Sequence, residues 1–275
     1  MRVLLLGHPV AHSVSPAVQN AAFKAMGTPD RYEAVDIPPE ALAEAVRELR
    51  QEDCLGANVT VPHKLAVMPL LDELDPLVEA IGAVNTIVNR GGRLSGYNTD
   101  VEGAWKGLLE PVVDTIGGAR VMLAGAGGGA RAVIAALEHA LHRAPAQVVV
   151  VARDAAEASK VAEMGSRRGL STDTAPWPDL IDACHGARVV INCTPLGLHG
   201  EDSFEGVALS GRSVLDLAYA PGGTPLVRRA RAEGASSALQ GDQMLLHQGA
   251  LGFRLWTGVD PPMEVMRAAL QEAMA

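Results

Sequence analysis

Aromatic side chains are scarce in this chain, with three Phe, three Trp and three Tyr among 275 residues. A core must therefore be built from Ala, Val and Leu, and the 48% hydrophobic content is ample for one. Basic residues are also in the minority, 23 Lys and Arg against 32 Asp and Glu, a net charge of −9. Nucleic acid and anionic membrane surfaces are thus not expected partners of the whole molecule, although a local positive site for a small anion stays compatible with that balance. The three cysteines, Cys54, Cys184 and Cys193, are odd in number and lack Cys-x-x-Cys spacing, so neither a disulfide framework nor a metal site is expected. No uninterrupted apolar run approaches the roughly 20 residues of a membrane span. The first residues, one Arg, a short apolar run and then Gly-His-Pro, do not have the layout of a signal peptide. A cytoplasmic, reducing location is the resulting expectation.

What is present is an alternation of short aliphatic runs with Ala-rich helical patterns, the signature of parallel α/β architecture. Val3–Leu6 reads as a strand. Ser15 reads as a helix cap followed by Pro16 in the first turn, with Gly27 closing that helix. Residues 32–37 and 56–61 read as strands, 39–50 as a helix, and 83–98 as a hairpin. Beyond residue 100 come a helix at 101–109, strands at 120–125, 147–151, 188–193 and 213–218, and helices at 129–142 and 155–169. Helices at about 242–257 and 262–274 complete the chain. The expected organisation is an N-terminal α/β substrate domain over 1–100, to which 241–275 returns, and a Rossmann-like dinucleotide-binding domain over 101–240. A cleft is expected between them.

Gly125-Ala126-Gly127-Gly128-Gly129-Ala130 fits G-x-G-x-x-A directly after an apolar strand and directly before a helix. Gly125 allows a tight turn, Gly127 lets the backbone approach a pyrophosphate, and Ala130 lets helix and strand pack closely. The helix N-terminus then offers its free N–H groups to phosphate. An NAD site would place Asp or Glu at the end of the next strand. Here Val151 is followed by Ala152-Arg153-Asp154. Arg153 suits the 2′-phosphate of NADP, whereas Asp154, one step later, suits a 2′-hydroxyl, so NAD stays open as well.

The other dense motif is GANVTVPHK. Asn58 and Thr60 share one face of a strand, and Lys64 follows at its carboxyl end, where α/β sites form. Asn85 lies in AVNTIVN, and Asn98 and Asp100 lie in GYNTD. Amides and hydroxyls for alcohols, serine hydroxyls for a carboxylate, and a Lys/Asp pair for proton transfer together suit a polyhydroxylated carboxylic acid.

GHPVAHSVSPAVQN, GANVTVPHK, IGAVNT, GYNTD, GAGGGARA, INCTPLG and GDQMLLHQG, taken in register, resemble the diagnostic stretches of the shikimate dehydrogenase family. The resemblance implies NADP-linked interconversion of 3-dehydroshikimate and shikimate, on the route to aromatic amino acids. It implies Ser13, Ser15 and Tyr219 at the substrate carboxylate, and Thr60, Asn85, Asp100 and Gln248 at the ring hydroxyls. Lys64 would be the catalytic residue, with Asp100 orienting it. Gly125, Ala126, Gly127, Gly128, Gly129, Ala130, Arg153, Thr194, Leu217, Gly241 and Met244 would lie along the cofactor. Glu157 stands where the family commonly has a further basic residue, which leaves room for an NAD-using quinate/shikimate dehydrogenase. A small-molecule substrate and a monomer or homodimer complete the expectation.

Overall fold

The computed structural model describes residues 1–197, 200–202 and 204–275. Its contacts divide the chain into two compact units, Met1–Asp100 with Leu246–Ala275, and Val101–Leu245.

The first unit is built on β1 (Arg2–Gly7), β2 (Arg31–Asp36), β3 (Cys54–Val59), β4 (Glu73–Leu74), β5 (Thr86–Arg90) and β6 (Arg93–Tyr97), in the order β2-β1-β3-β5-β6-β4. β1 runs parallel to β2 and β3, and the antiparallel hairpin β5–β6 joins β3 antiparallel. The intervening helices are α1 (Ser15–Ala25), α2 (Leu42–Glu48) and α3 (Pro76–Ile81). A shared core gathers Leu4, Leu6, Leu42, Val46, Leu49, Val59, Ile87 and Leu94. Each such side chain contributes roughly 1.5–3 kcal/mol on burial.

Several boundaries differ from expectation. The helix expected at 39–50 opens as a 3₁₀ turn, Pro39–Ala41, before α2. Ser15 is the first residue of α1 rather than its cap; Val14 holds the cap position, and Ser13 Oγ accepts the Ser15 N–H at 3.2 Å. Ser13 makes a local turn contact to the first helical N–H, and no side chain caps α1.

The second unit carries α4 (Asp100–Ala104, its first residue counted with the first unit), α5 (Val113–Ile116), β7 (Arg120–Ala124), α6 (Gly128–Ala136), β8 (Gln147–Ala152), α7 (Ala155–Arg167), β9 (Thr172–Pro176), α8 (Leu180–Cys184), β10 (Ala187–Asn192), β11 (Ser213–Asp216), α9 (Pro225–Ala232) and β12 (Ser237–Gln240). Its sheet is wholly parallel in the order β12-β11-β10-β7-β8-β9. Numbered from β7, that is the strand order of doubly wound dinucleotide-binding sheets, which reverses between β7 and β10. β7 and β8 are buried almost along their whole lengths, which explains their unbroken aliphatic runs. The helix expected at 101–109 begins at Asp100 and widens into a π-helical turn over Trp105–Leu109, and α6 tightens to 3₁₀ geometry from Leu137.

α10 (Asp242–Thr257) and α11 (Met263–Ala273) end the chain. The division between units falls inside α10, after Leu245, rather than at residue 241. The reason lies at the start of that helix. Gly241 N–H donates to the Ala218 carbonyl, and Met244 backbone lies against Gly107, which holds this end of α10 in the second unit. Further along, four of the nine aromatics hold α10 in the first unit. Phe253 packs on Phe23, and Trp256 packs on Tyr32 and donates Nε1–H to the Ile87 carbonyl at 2.9 Å.

A buried polar network lies at the carboxyl ends of β10 and β11. Asp216 accepts from Asn192 Nδ2 at 2.9 Å, from Thr224 Oγ1 at 2.7 Å and from Ala218 N–H at 3.0 Å. Asn192 Oδ1 in turn accepts from Thr194 Oγ1 at 2.7 Å. Burial pushes the Asp216 carboxyl up to about 6, against the pull of those three donors.

Two measurements probe this framework. Gly56 has φ +146°, and a Cβ there would overlap the Ile87 carbonyl oxygen and crowd Trp256 Nε1. Gly56→Ala is therefore expected to cost about 3 kcal/mol, lowering the melting temperature by roughly 10 °C in calorimetry. For Asp216, the folded protein keeps a proton that the unfolded chain has released between about pH 4 and pH 6, so this residue's contribution falls as pH rises through that window. Denaturant titrations of wild type and Asp216→Asn should give a stability difference that shifts against wild type across that window, on the order of 3 kcal/mol.

Candidate active site

Lys64 follows β3 in a tight turn. His63 N–H donates to the Thr60 carbonyl at 2.9 Å, Val67 N–H to the His63 carbonyl at 3.0 Å, and Val84 N–H to the Lys64 carbonyl at 2.8 Å. The buried His63 ring places Nε2 2.6 Å from the Ile37 carbonyl, which ties the turn to the end of β2. Held this way, Lys64 Nζ donates to Asp100 Oδ2 at 2.6 Å. Asp100 enters from the start of α4, just after the hairpin, and the two side chains are only 16% and 6% exposed. Little water is left to screen the pair, so the two charges act strongly on one another and on whatever lies beside them. An ammonium anchored by a carboxylate is equipped to give and take a proton.

A second cluster stands beside it on the same strands. Asn85 Nδ2 donates to Thr99 Oγ1 at 2.9 Å and to Gln248 Oε1 at 3.3 Å, while Asn85 Oδ1 accepts the Thr99 N–H at 2.7 Å. Asn58 accepts from Tyr32 Oη at 2.7 Å and donates to the Asn85 carbonyl at 3.1 Å and to Thr86 Oγ1 at 3.0 Å. Gln248, more than 160 positions from Asn85, is thereby brought to it by the return of α10. Thr86 and Thr99 were absent from the residues singled out above. Their signal was present, for Thr86 directly follows Asn85 and Thr99 directly precedes Asp100.

Ser13 and Ser15 lie on the turn from β1 into α1, and Ser15 is buried. Gly7, at the end of β1, has no room for a Cβ because the Thr60 methyl and the Val10 side chain fill that space, which brings the ends of β1 and β3 close together. Gln19, buried on α1, donates to the Gly249 carbonyl at 2.9 Å, beside Gln248.

In the second unit the glycine turn occupies the point where the strand order reverses. Gly125 adopts φ +107° directly after β7, and a Cβ on it would crowd Thr194, which follows β10. A Cβ on Gly129 would meet Leu217 Cδ2 at 3.0 Å, and one on Gly241 would overlap the Leu217 carbonyl. Gly125, Ala126, Gly127, Gly128, Gly129, Ala130, Thr194, Leu217 and Gly241 thus share one end of the sheet. Met244 is buried against Gly107, and Tyr219 is half-buried on the loop after β11. At Gly127 a Cβ would meet nothing, no side chain caps α6, and its first turn holds no acidic residue. An open backbone at a bare helix N-terminus fits a pyrophosphate. Arg153 is exposed at the end of β8. Asp154 is engaged as the cap of α7, its Oδ1 accepting the N–H groups of Ala156 at 2.9 Å and Glu157 at 3.1 Å.

Burial raises the thiols, Cys184 up to about 11 and Cys193 in the same direction, which opposes the reactive thiolate form near neutral pH. Among the described residues no group of three or more His, Cys, Asp or Glu side chains is arranged to hold a metal ion, and no helix is long and apolar enough to cross a membrane.

Comparison with known proteins adds an independent line. The model of the shikimate dehydrogenase substrate binding domain matches residues 5–87, and that of the shikimate 5′-dehydrogenase C-terminal domain matches 243–271. The shikimate dehydrogenase (NADP(+)) of Symbiobacterium thermophilum is 42% identical, over 98% of this chain and 93% of its own. That of Salinibacter ruber is 41% identical, over 98% and 96%. Among solved structures, shikimate 5-dehydrogenase of Thermus thermophilus in complex with NADP(H) and shikimate is 36% identical, covers 99% of each chain and superposes with a TM-score of 0.80. With matches of this extent at both ends of the chain and along almost all of it, the chain belongs to the shikimate dehydrogenase family.

Proposed function

We propose that this protein is an NADP-dependent shikimate dehydrogenase, reversibly reducing 3-dehydroshikimate to shikimate in the pathway to chorismate and the aromatic amino acids. It would act in the cytoplasm on a small-molecule substrate, as a monomer or homodimer. The observation that carries the reading is the shielded Lys64–Asp100 pair, with Nζ 2.6 Å from Oδ2, in a chain 42% identical to an enzyme of that name.

In this reading Lys64 donates a proton to the carbonyl oxygen of 3-dehydroshikimate as that oxygen gains negative charge, and the nearby ammonium steadies the charge while it builds. In the reverse direction the Lys64 amine takes the proton of the hydroxyl being oxidised. Asp100 orients the ammonium and accepts from that same hydroxyl. The Asn85 amide, braced by Thr99 and Gln248, and Thr60 hold the ring hydroxyls. Ser13, Ser15 and Tyr219 receive the carboxylate. When bound, the reduced nicotinamide supplies the hydride and the oxidised form accepts it. The glycine turn from Gly125 to Ala130 would cradle the pyrophosphate, Arg153 would meet the 2′-phosphate, and Thr194, Leu217, Gly241 and Met244 would border the rest. The exposed Arg153 at the end of β8 favours NADP over the NAD-using quinate/shikimate reading.

Lys64→Ala should lower kcat by about 10²–10⁴-fold with little change in the KM for shikimate. The assay follows absorbance of the reduced cofactor, with a thermal melt of each variant to show that it is folded. Turnover surviving the substitution would remove Lys64 from the acid–base role. A kcat/KM favouring NAD and quinate over NADP and shikimate would reverse the choice of cofactor and substrate.

A further inference from the structure

Glu157 poses a difficulty for a site that binds a dianion. It lies in the first turn of α7, four residues beyond Arg153, where a carboxylate would repel a 2′-phosphate. The structure shows that this carboxylate is not bare. Glu157 Oε2 accepts from Arg131 Nη2 at 3.0 Å, and Glu157 Oε1 accepts from Lys160 Nζ at 2.6 Å. Lys160 and then Arg131 hold the Glu157 carboxyl below the ordinary range, so it stays ionised and keeps both partners. Asp154 is balanced in another way, by the two N–H groups it caps and the positive end of α7. Arg131 and Lys160 pair with Glu157, and Arg153 and Asp154 precede α7 in the chain, so three cations and two carboxylates leave one net positive charge.

Arg131 directly follows Ala130, the last residue of the glycine turn, and rises from α6. β7 and β8 are neighbouring parallel strands, so the turns leading into α6 and α7 leave the same edge of the sheet side by side. The Arg131 guanidinium spans from α6 to Glu157 in the first turn of α7, four residues beyond Arg153. It is only 11% exposed, whereas Lys160 is 62% exposed. A guanidinium packed in one orientation loses little freedom when it binds, and its five N–H donors allow one contact with a carboxylate and another with a phosphate.

We propose that Arg131, held in position by Glu157, is a second cation of the 2′-phosphate site beside Arg153. Glu157 is then a positioning residue, and the ion pair between α6 and α7 prepares the site rather than merely fastening two helices. This inference rests on the reading of NADP as the cofactor.

The probe is adenosine 2′,5′-bisphosphate against 5′-AMP, with binding measured by calorimetry on the whole protein. Arg131→Gln should weaken the bisphosphate by about tenfold or more, the worth of one charge-assisted hydrogen bond, while 5′-AMP changes by less than about twofold. Arg131→Lys should recover part of the loss. Glu157→Gln should weaken the bisphosphate by about threefold or more, because Arg131 loses its anchor. Arg153→Gln provides the scale for a direct contact. A bisphosphate-to-AMP ratio unchanged in Arg131→Gln, or raised in Glu157→Gln, would overturn the proposal and leave a purely structural ion pair. Should Arg131→Gln fail to fold, an unchanged ratio in Arg131→Lys and Glu157→Gln overturns it equally. A wild-type protein that binds both nucleotides alike would instead overturn the NADP reading itself.

Discussion

Two opposite charges withdrawn from water, Lys64 and Asp100, set the terms for the first unit. Desolvating either one alone costs several kcal/mol, so the pair is tolerable only when the backbone on both sides delivers the two groups to hydrogen-bonding distance. That requirement accounts for much of the surrounding structure. The Lys64 turn is fastened to the Val84 N–H, and through His63 to the carbonyl of Ile37. Asp100 is presented by the first residue of α4, directly after the hairpin. A loose surface lysine would satisfy none of these constraints and would be screened by solvent.

The second unit solves a different electrostatic problem. A chain with a net charge of −9 must still offer an anion a favourable place. The parallel sheet does so first with dipoles, because β7 and β8 deliver the N-termini of α6 and α7 to the same end. It does so next with local pairing. Carboxylates that would oppose an anion are consumed as a cap, at Asp154, or as an ion-pair partner, at Glu157. Global charge is therefore a poor guide to what one turn of a protein will bind, whereas the assignment of each carboxylate to a partner is a good one.

The strands and helices legible in the residues are those with strong periodicity or punctuation. β7, β8, β10 and the glycine turn read directly, since buried parallel strands are continuous aliphatic runs. β9 did not, because its sequence, Thr-Asp-Thr-Ala-Pro, belongs to a sheet edge where half-exposed positions relax the apolar pattern. α9 was obscured by its arginines, although Thr224 and Pro225 mark its start. β4, α3, α8 and β12 are too short for periodicity to accumulate. The Ser15 cap was misplaced because the helix starts one residue early, with Val14 at the cap position and Ser15 already in the first turn, and residue type alone does not fix that boundary.

By itself the sequence determined the α/β class, the glycine turn at the head of α6, and the residue types gathered near Lys64, because each of these is encoded in neighbouring positions. Tertiary structure alone decided that Asp100 lies 2.6 Å from Lys64, that Gln248 returns to Asn85, and that Glu157 is occupied by Arg131. Those relations join residues distant along the chain. Their energies depend on burial and on separations of a few ångströms, and both exist only once the sheets have closed over their cores.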